Sequence, residues 1–290
     1  RPPHVLHVSW RSPRVPAGFA ANLLSWLEVL SDAGHARAGL PVPEDPWVLL
    51  LWTDGANWRL VRGSYPSLGG LYAGYSPIQK ADFARYAYMH ALGGVYADLD
   101  FRPARPLGPA VDGRAAVVGQ EPLAHAELLE GKARQVCNAL MASRPRHPFW
   151  GAVLRRAGAY AGDPDAPAST GPRMLEAELA AWERARRGPE EEVWVAPPGL
   201  FYPRWDDMQR DHLRELCEGP PRPLRPGAAR VCKALAASNF TNPPDPRAVA
   251  AHEWSHTWLA EQGLSKVDLA RTFDMRRLAG PAGTSRPDPP

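Results

Sequence analysis

The stretch GGVYADLD, from Gly93 to Asp100, ends in two carboxylates one residue apart. An apolar, strand-like run leads into them. Ionised carboxylates do not sit side by side away from water without a partner. Either Asp98 and Asp100 are hydrated at the surface, or a cation lies between them. Alternate side chains of a strand share a face, so the two acids are expected to point the same way, with Leu99 turned to the other side. Hard divalent ions such as magnesium or manganese take oxygen ligands and often share them with substrate phosphates. In open α/β sheets, ligands gather at the carboxyl ends of strands. Gly93 and Gly94 remove side chains just before the pair, which would let a ligand approach the backbone.

A second pair lies upstream, in IQKADFARYAYMHAL. Asp82 and Arg85 are three apart on an expected helix and so share a face. Arg85 also falls on the helical stripe of Ile78, Ala81, Tyr88 and Leu92. A permanent cation on a buried stripe needs an anionic partner. Two readings are open: an Asp82–Arg85 pair that only orders the fold, or an arginine reaching phosphate or sugar while Asp82 accepts sugar hydroxyls.

The elements that must position these residues follow from pattern. HVLHVSW (4–10) reads as a first strand and WVLLLWTD (47–54) as a strand covered on both sides. Between them a helix is expected over 17–33, with Leu23, Leu27 and Leu30 on one face and Gly34 as its stop. Ser76 and Pro77 open the Asp82–Arg85 helix and Gly93 ends it; its apolar residues lie nearly all round, as in a helix packed inside a large domain. VYADLDF is the third strand and RAAVVGQE (114–121) the fourth. Helices are expected around 149–160 and 174–186, and EEVWVAPPGLFYP holds another strand. Strands alternating with helices argue an α/β fold with a mainly parallel sheet.

Composition narrows the function classes. The net charge of +3 gives no bulk attraction to nucleic acid. No run of eighteen apolar residues and no signal sequence is visible, so any membrane association would come through a segment absent from these residues. Three cysteines are too few for a disulfide scaffold, although Cys217 and Cys232 bracket a proline-rich loop they could close. Asn239–Phe240–Thr241 has the pattern of a glycosylation acceptor, which implies a secretory lumen. The tail AGPAGTSRPDPP (279–290) is expected to be disordered.

Taken together, ADFARYAYMHALGGVYADLD resembles the signature of the DXD-containing sugar-binding glycosyltransferases, the family 32 group. That group includes the yeast initiating α-1,6-mannosyltransferase, with bacterial capsular polysaccharide enzymes and clostridial glucosylating toxins as relatives. The matching positions are Asp82, Arg85, Gly93, Gly94, Tyr96, Asp98 and Asp100. Weaker similarities cover most of the chain: His7 and Trp10 in the first strand, Trp52 and Asp54 in the second, Asn138 and 170–172 in the middle, and His252 and Trp258 near the end. Thr257 replaces the usual serine, and His256 stands where a glycine is common.

The resemblance implies a GT-A fold over 1–278, a Rossmann-like, mostly parallel sheet flanked by helices. Residues 1–120 would form the nucleotide-sugar-binding half and 121–278 the acceptor side. It implies Mn²⁺ or Mg²⁺ held by Asp98, Asp100 and His252, with Asp100 the main direct ligand and Asp98 acting on the ribose or through a metal-bound water. Asp82 and Arg85 would grip the donor sugar, and Tyr96 would lie near the nucleotide. Trp10, Trp52 and Trp258 are candidates to stack on base or sugar, with core packing as the alternative for each. The implied partners are a nucleotide-diphosphate sugar and a glycan or glycoconjugate acceptor, with the loops at 162–170 and 218–231 shaping the acceptor site. The implied activity is retaining hexosyl transfer, in the Golgi or secretory lumen or else the cytoplasm. Two other readings compete: a haloacid-dehalogenase-like phosphohydrolase, whose Asp-x-Asp pair normally ends the first strand, and a sugar-nucleotide-binding protein without catalysis.

Overall fold

The computed structural model describes residues 1–160, 162–185, 188–220, 223–243, 245–256 and 272–274. Its centre is a six-stranded sheet. The strands are β1 (Val5–Ser9), β3 (Val48–Trp52), β4 (Gly94–Ala97), β6 (Ala116–Gln120), β7 (Val136–Ser143) and β8 (Val193–Ala196), in the order β3-β1-β4-β7-β6-β8. β7 runs antiparallel to both of its neighbours, and the other pairings are parallel. The remaining short strands pair outside this sheet: β2 (Arg14–Pro16) with β10 (Thr272–Asp274), and β5 (Phe101–Pro103) with β9 (Ala250–His252). The expected α/β architecture, a mostly parallel sheet between helices, is what the chain forms.

The period-two alternation of the strands divides the core. Val95, Ala97 and Val117 face a cluster shared with Phe19, Leu23 and Trp26 of the Ala17–Val29 helix. Tyr96, Val118 and Met141 face the opposite cluster, built on the helices Pro77–Ala91, Pro148–Arg156 and Pro172–Ala185. The Pro77–Ala91 helix meets its expectation closely. Ser76 and Gln79 form a reciprocal capping box, Pro77 fills the first turn, and every residue from Asp82 to Met89 is buried.

Several boundaries differ from the sequence reading. The first helix stops at Val29, and a separate Asp32–Arg37 helix contains Gly34, where a Cβ would lie 2.3 Å from the Val29 carbonyl oxygen. Gly34 therefore allows close chain approach rather than ending a helix. Leu27 is exposed, so only Leu23 and Leu30 of the expected face are core. β3 is an edge strand with partly exposed residues, not a strand covered on both sides. Thr53 caps an Asp54–Ser64 helix that the sequence reading missed. β7, buried along its whole length, was missed as well. VYADLDF is not one strand: β4 ends at Ala97, Leu99 and Asp100 form a turn, and β5 begins at Phe101. The 279–290 tail lies outside the described residues. Cys217 and Cys232 are bonded, joining the Arg210–Glu218 and Pro226–Ala237 helices, and Cys137 is a buried free thiol. No described helix is long and apolar enough to cross a membrane.

His7 ties three strands together. Its Nε2–H donates to the Gly93 carbonyl at 2.8 Å, and its Nδ1 accepts from the Trp52 indole at 3.0 Å. Burial, partly offset by the Gly93 bond, pulls its pKa down to about 4. The unfolded imidazole takes its proton near 6.5 and the folded one near 4. The stability this group contributes is therefore whole above pH 6.5 and is lost as pH falls toward 4, by roughly 3 kcal/mol. Urea unfolding across that window should show the loss, with a shallower pH slope in His7→Gln; equal slopes in the two proteins would contradict it. Separately, the paired change Cys217→Ser with Cys232→Ser should lower stability by roughly 3 kcal/mol through loop entropy. Denaturant titration of the oxidised protein and the double variant measures this directly.

Candidate functional site

The turn after β4 presents the acids. Asp98 leaves the sheet while its backbone N–H still bonds the Ala139 carbonyl of β7 at 2.8 Å. The chain then reverses through Leu99, whose carbonyl accepts from the Asn22 amide at 3.2 Å, and enters β5. β5 pairs with β9 so that Phe101 lies opposite His252. This pairing delivers a histidine from the end of the chain to the turn. One ligand atom from each of Asp98, Asp100 and His252 lies within 4.8 Å of the others. The two acids do converge, although they share a turn rather than one strand's face.

Charge explains the arrangement. Arg85 Nη2 lies 3.2 Å from Asp98 Oδ1 and Nη1 lies 3.6 Å from Asp82 Oδ1. The guanidinium carbon sits 5.0 Å from the Tyr96 ring centre, and the Tyr96 hydroxyl donates to Asp98. Three carboxylates, at 82, 98 and 100, thus meet one guanidinium and one imidazole. Burial pushes the Asp82 carboxyl up, against the pull of Arg85, Asn138 and Thr170. Burial also pushes Asp98 up, with the Asp100 charge adding to it and Arg85 opposing. Burial lowers His252, but the Asp100 carboxylate outweighs it and the net shift is upward. At Asp100 the upward push of burial is overcome by His252 and by the Ser255 N–H, which bring it down to about 2. A cluster short of positive charge draws protons unless another cation supplies it.

The donor set suits a divalent ion. His252 Nε2 lies 3.0 Å from Asp100 Oδ1, and two ligands about 2.1 Å from one octahedral ion, at a right angle, are about 3.0 Å apart. The Ser255 N–H holds the other Asp100 oxygen at 2.9 Å, and the Phe101 ring packs 4.8 Å from the imidazole. The buried Arg85 Nε and His252 Nδ1 have no hydrogen-bond partner among the described residues.

The other expected residues fall in different places. Asp82 is 5% exposed; its oxygens accept from Asn138 Nδ2 at 2.9 Å and Thr170 Oγ1 at 3.1 Å. These bonds and the Arg85 contact order Asp82 within the fold, while Arg85 also reaches Asp98. Asn138 and Thr170 carried only a weak similarity in sequence, because nothing in their spacing links them to Asp82. Gly93 and Gly94 are at the far end of β4 from the acids. A Cβ there would lie 2.6 Å from Ser143 O or Val5 O, and both have positive φ, so they serve close strand contact rather than ligand approach. Trp52 is buried and stacked 4.6 Å from Tyr88, so it is core rather than a base platform. Trp10, half-buried just past β1, packs edge-on to Phe19. Trp258 and Thr257 lie outside the described residues. His256 has φ +50°, a backbone that glycine adopts without strain, and its Nε2 lies 2.9 Å from Asp206.

The acid–acid–histidine cluster lies just past the carboxyl end of a central strand of a mostly parallel α/β sheet, where ligands gather in open sheets of this kind. Residues 45–122 match the family described as "Glycosyltransferase sugar-binding region containing DXD motif". The chain is similar to "Inositol phosphoceramide mannosyltransferase 3" of Schizosaccharomyces pombe, 26% identical over 69% of this chain and 51% of that protein. It is also similar to "Mannosyl phosphorylinositol ceramide synthase SUR1" of Saccharomyces cerevisiae, 25% identical over 69% and 47%. The chain thus spans about half the length of these relatives. Among solved structures it is similar to "PaToxG Glycosyltransferase", TM-score 0.44 at 14% identity, covering 82% of this chain and 87% of that one. Mouse "Xyloside xylosyltransferase 1, apo form" aligns with TM-score 0.47 at 11% identity, covering 88% and 98%.

Arg85→Met would leave the buried Asp82 and the half-buried Asp98 beside no permanent cation. It should destabilise the protein by about 3 kcal/mol, and Asp82→Asn added to it should recover part of that loss. Chemical denaturation of the single and double variants checks both; a single variant as stable as the parent would contradict the charge account.

Proposed function

We propose that this chain is the catalytic part of a metal-dependent, retaining glycosyltransferase that moves a hexose from a nucleotide-diphosphate sugar to a glycan or glycoconjugate acceptor. The observation that carries the reading is the convergence of Asp98, Asp100 and His252 beside Arg85, within or paired to the matched sugar-binding region. The relatives' printed names favour mannose as the hexose and an inositol phosphoceramide as one acceptor class. Residues 1–120 would hold the donor and 121–278 would shape the acceptor side.

Asp100 and His252, with Asp98, would hold Mn²⁺ or Mg²⁺, which supplies charge to a diphosphate leaving group. The chain's own residues do the rest. Arg85 lies against Asp98 and meets negative charge as the bond from sugar carbon to phosphate oxygen breaks. The bonding electrons leave with the diphosphate, the acceptor oxygen bonds to the sugar carbon, and its proton passes to a departing phosphate oxygen. Asn138 and Thr170 keep Asp82 oriented and Arg85 extended toward Asp98. Trp10, half-buried just past β1, would be the tryptophan to meet a base. Phosphohydrolase chemistry is not favoured: its nucleophile would be Asp98, which here is engaged by Arg85 and Tyr96 and follows the third parallel strand. The Cys217–Cys232 bond and the exposed Asn239 support a secretory, Golgi-type lumen.

A panel of GDP- and UDP-sugars with Mn²⁺, scored for slow donor hydrolysis, tests the reading without an acceptor. One donor should be hydrolysed, EDTA should stop it, and Asp100→Asn should lose at least about a hundredfold while circular dichroism is unchanged. Normal turnover in that variant, or in EDTA, would refute it.

A further inference from the structure

At the end of the sheet opposite the acids, polar side chains gather that the donor chemistry leaves unused. His90 lies in the last turn of the Pro77–Ala91 helix, just before β4 begins. Arg146 sits in the turn after β7, and Arg155 in the last turn of the Pro148–Arg156 helix. The Arg146 N–H donates to the His90 carbonyl at 2.7 Å, with Arg146 at a positive φ of +56°. Left-handed backbone at a non-glycine residue persists where the surroundings fix it. Tyr65, just past the Asp54–Ser64 helix, closes the group: its hydroxyl donates to His90 Nδ1 at 2.8 Å. Nδ1 therefore accepts, and Nε2 carries the ring proton. Burial, and then the charges of Arg146 and Arg155, lower the His90 pKa, so the three side chains are close enough to feel one another.

Gly151 leaves a notch between them. A Cβ at this position would lie 3.2 Å from His90 Nε2 and 3.3 Å from Arg155 Nη1. Donors from two helices thus converge on space that any larger residue would fill. Glycine inside a helix weakens it relative to alanine, so the notch is kept at some expense to the helix. The nearby arginines have carboxylates: Arg144 lies 4.0 Å from Glu190, and Arg156 lies 3.6 Å from Glu178. Arg146 and Arg155 have none within ion-pair distance among the described residues. Both are exposed, while His90 and Tyr65 are half-buried. Positive charge without a counterion beside a half-buried imidazole is unfavourable, and an anion relieves it.

We propose that the Gly151 notch is a binding site for a phosphate group, separate from the catalytic centre. His90 Nε2–H and the Arg155 guanidinium donate to its oxygens from two directions, and Arg146 adds a second permanent charge. Guanidinium groups suit phosphate oxygens, and hydrogen bonds to an ionised oxygen are stronger than neutral ones. The anion favours the charged imidazole. The Tyr65 hydroxyl then accepts from Nδ1–H and turns its own proton to the Ala87 carbonyl, 3.4 Å away. The Tyr65–His90 pair thus serves both charge states of the ring. The site stands at the amino end of β4, whereas Asp98 and Asp100 lie past its carboxyl end, so a donor diphosphate is held elsewhere. The proposal does not depend on the glycosyltransferase reading. Either a soluble phosphate ester or a lipid headgroup carries this chemistry.

The test follows histidine ring signals by NMR at constant pH while inorganic phosphate is added, against sodium chloride of equal ionic strength. EDTA keeps metal out of the acid cluster, and His90→Gln identifies the His90 signal. Phosphate should move that signal toward a charged imidazole and saturate it. Arg155→Gln should weaken the binding about tenfold. Gly151→Ala fills the notch and should weaken it at least as much, while melting close to the parent because alanine favours the helix. Sedimentation with phosphatidylcholine vesicles, with and without phosphatidic acid, separates the two sources. Retention that needs phosphatidic acid and is lost in Arg155→Gln assigns the phosphate to a lipid headgroup. No retention, or retention that the variant shares, assigns it to a soluble ester. A His90 signal that ignores phosphate, an equal response to chloride, or full phosphate affinity in Arg155→Gln or in Gly151→Ala would overturn the proposal.

Discussion

Two carboxylates on one guanidinium, with a third beside them held by an imidazole, is the constraint on which the rest of the structure depends. Asp82 and Asp98 meet Arg85, and Asp100 meets His252; Asp82 and Asp100 are buried and Asp98 is half-buried. Such a cluster is unfavourable unless geometry and hydrogen bonding are nearly complete. The chain meets that demand from every side. Asn138 and Thr170 bind Asp82, Tyr96 binds Asp98, and Ser255 binds Asp100. The arrangement also explains why the site suits a cation: protons are drawn to the cluster by the same charge deficit that a divalent ion would fill.

Positioning comes from rigid elements rather than long loops. The Pro77–Ala91 helix, capped at its start and buried from Asp82 to Met89, fixes Asp82 and Arg85 against the sheet. β4 is pinned between β1 and the reversed strand β7, so Asp98 emerges at a defined height. The β5–β9 pairing then brings the segment at 250–256 across the turn, with the Glu253 N–H on the Asp100 carbonyl at 2.9 Å and the Ser255 N–H on its carboxylate. That single segment carries His252 toward the acids and Trp254 and His256 toward the neighbouring cavity. The acid–histidine cluster and the cavity beside it are thus joined through seven residues of backbone, two of them in left-handed conformation.

Much of this was legible in the sequence, and the reasons differ by element. The capped helix was readable because Ser76, Pro77 and Gly93 are local signals. The acid cluster was readable because Asp82, Arg85, Tyr96, Asp98 and Asp100 sit within one short stretch. The convergence of the acids was foreseen on the wrong geometry: alternation along a strand was invoked, and a turn produces it. β7 was missed because a continuous apolar run with no flanking strand signal reads as either helix or strand. The role of Asn138 and Thr170 could not be read, since hydrogen bonds to Asp82 join residues far apart in the chain. Gly93, Gly94 and Trp52 were over-read toward ligand contact; tight strand approach and aromatic stacking in the core account for them.

The central claim is that Asp98, Asp100 and His252 form one divalent-ion site that holds a nucleoside diphosphate. The most direct measurement is anomalous diffraction from crystals grown with Mn²⁺ and GDP or UDP. The account predicts a single strong peak within about 2.3 Å of both an Asp100 oxygen and His252 Nε2, with diphosphate density adjoining it. Ordered nucleotide bound elsewhere, or a peak that touches neither residue, would contradict it.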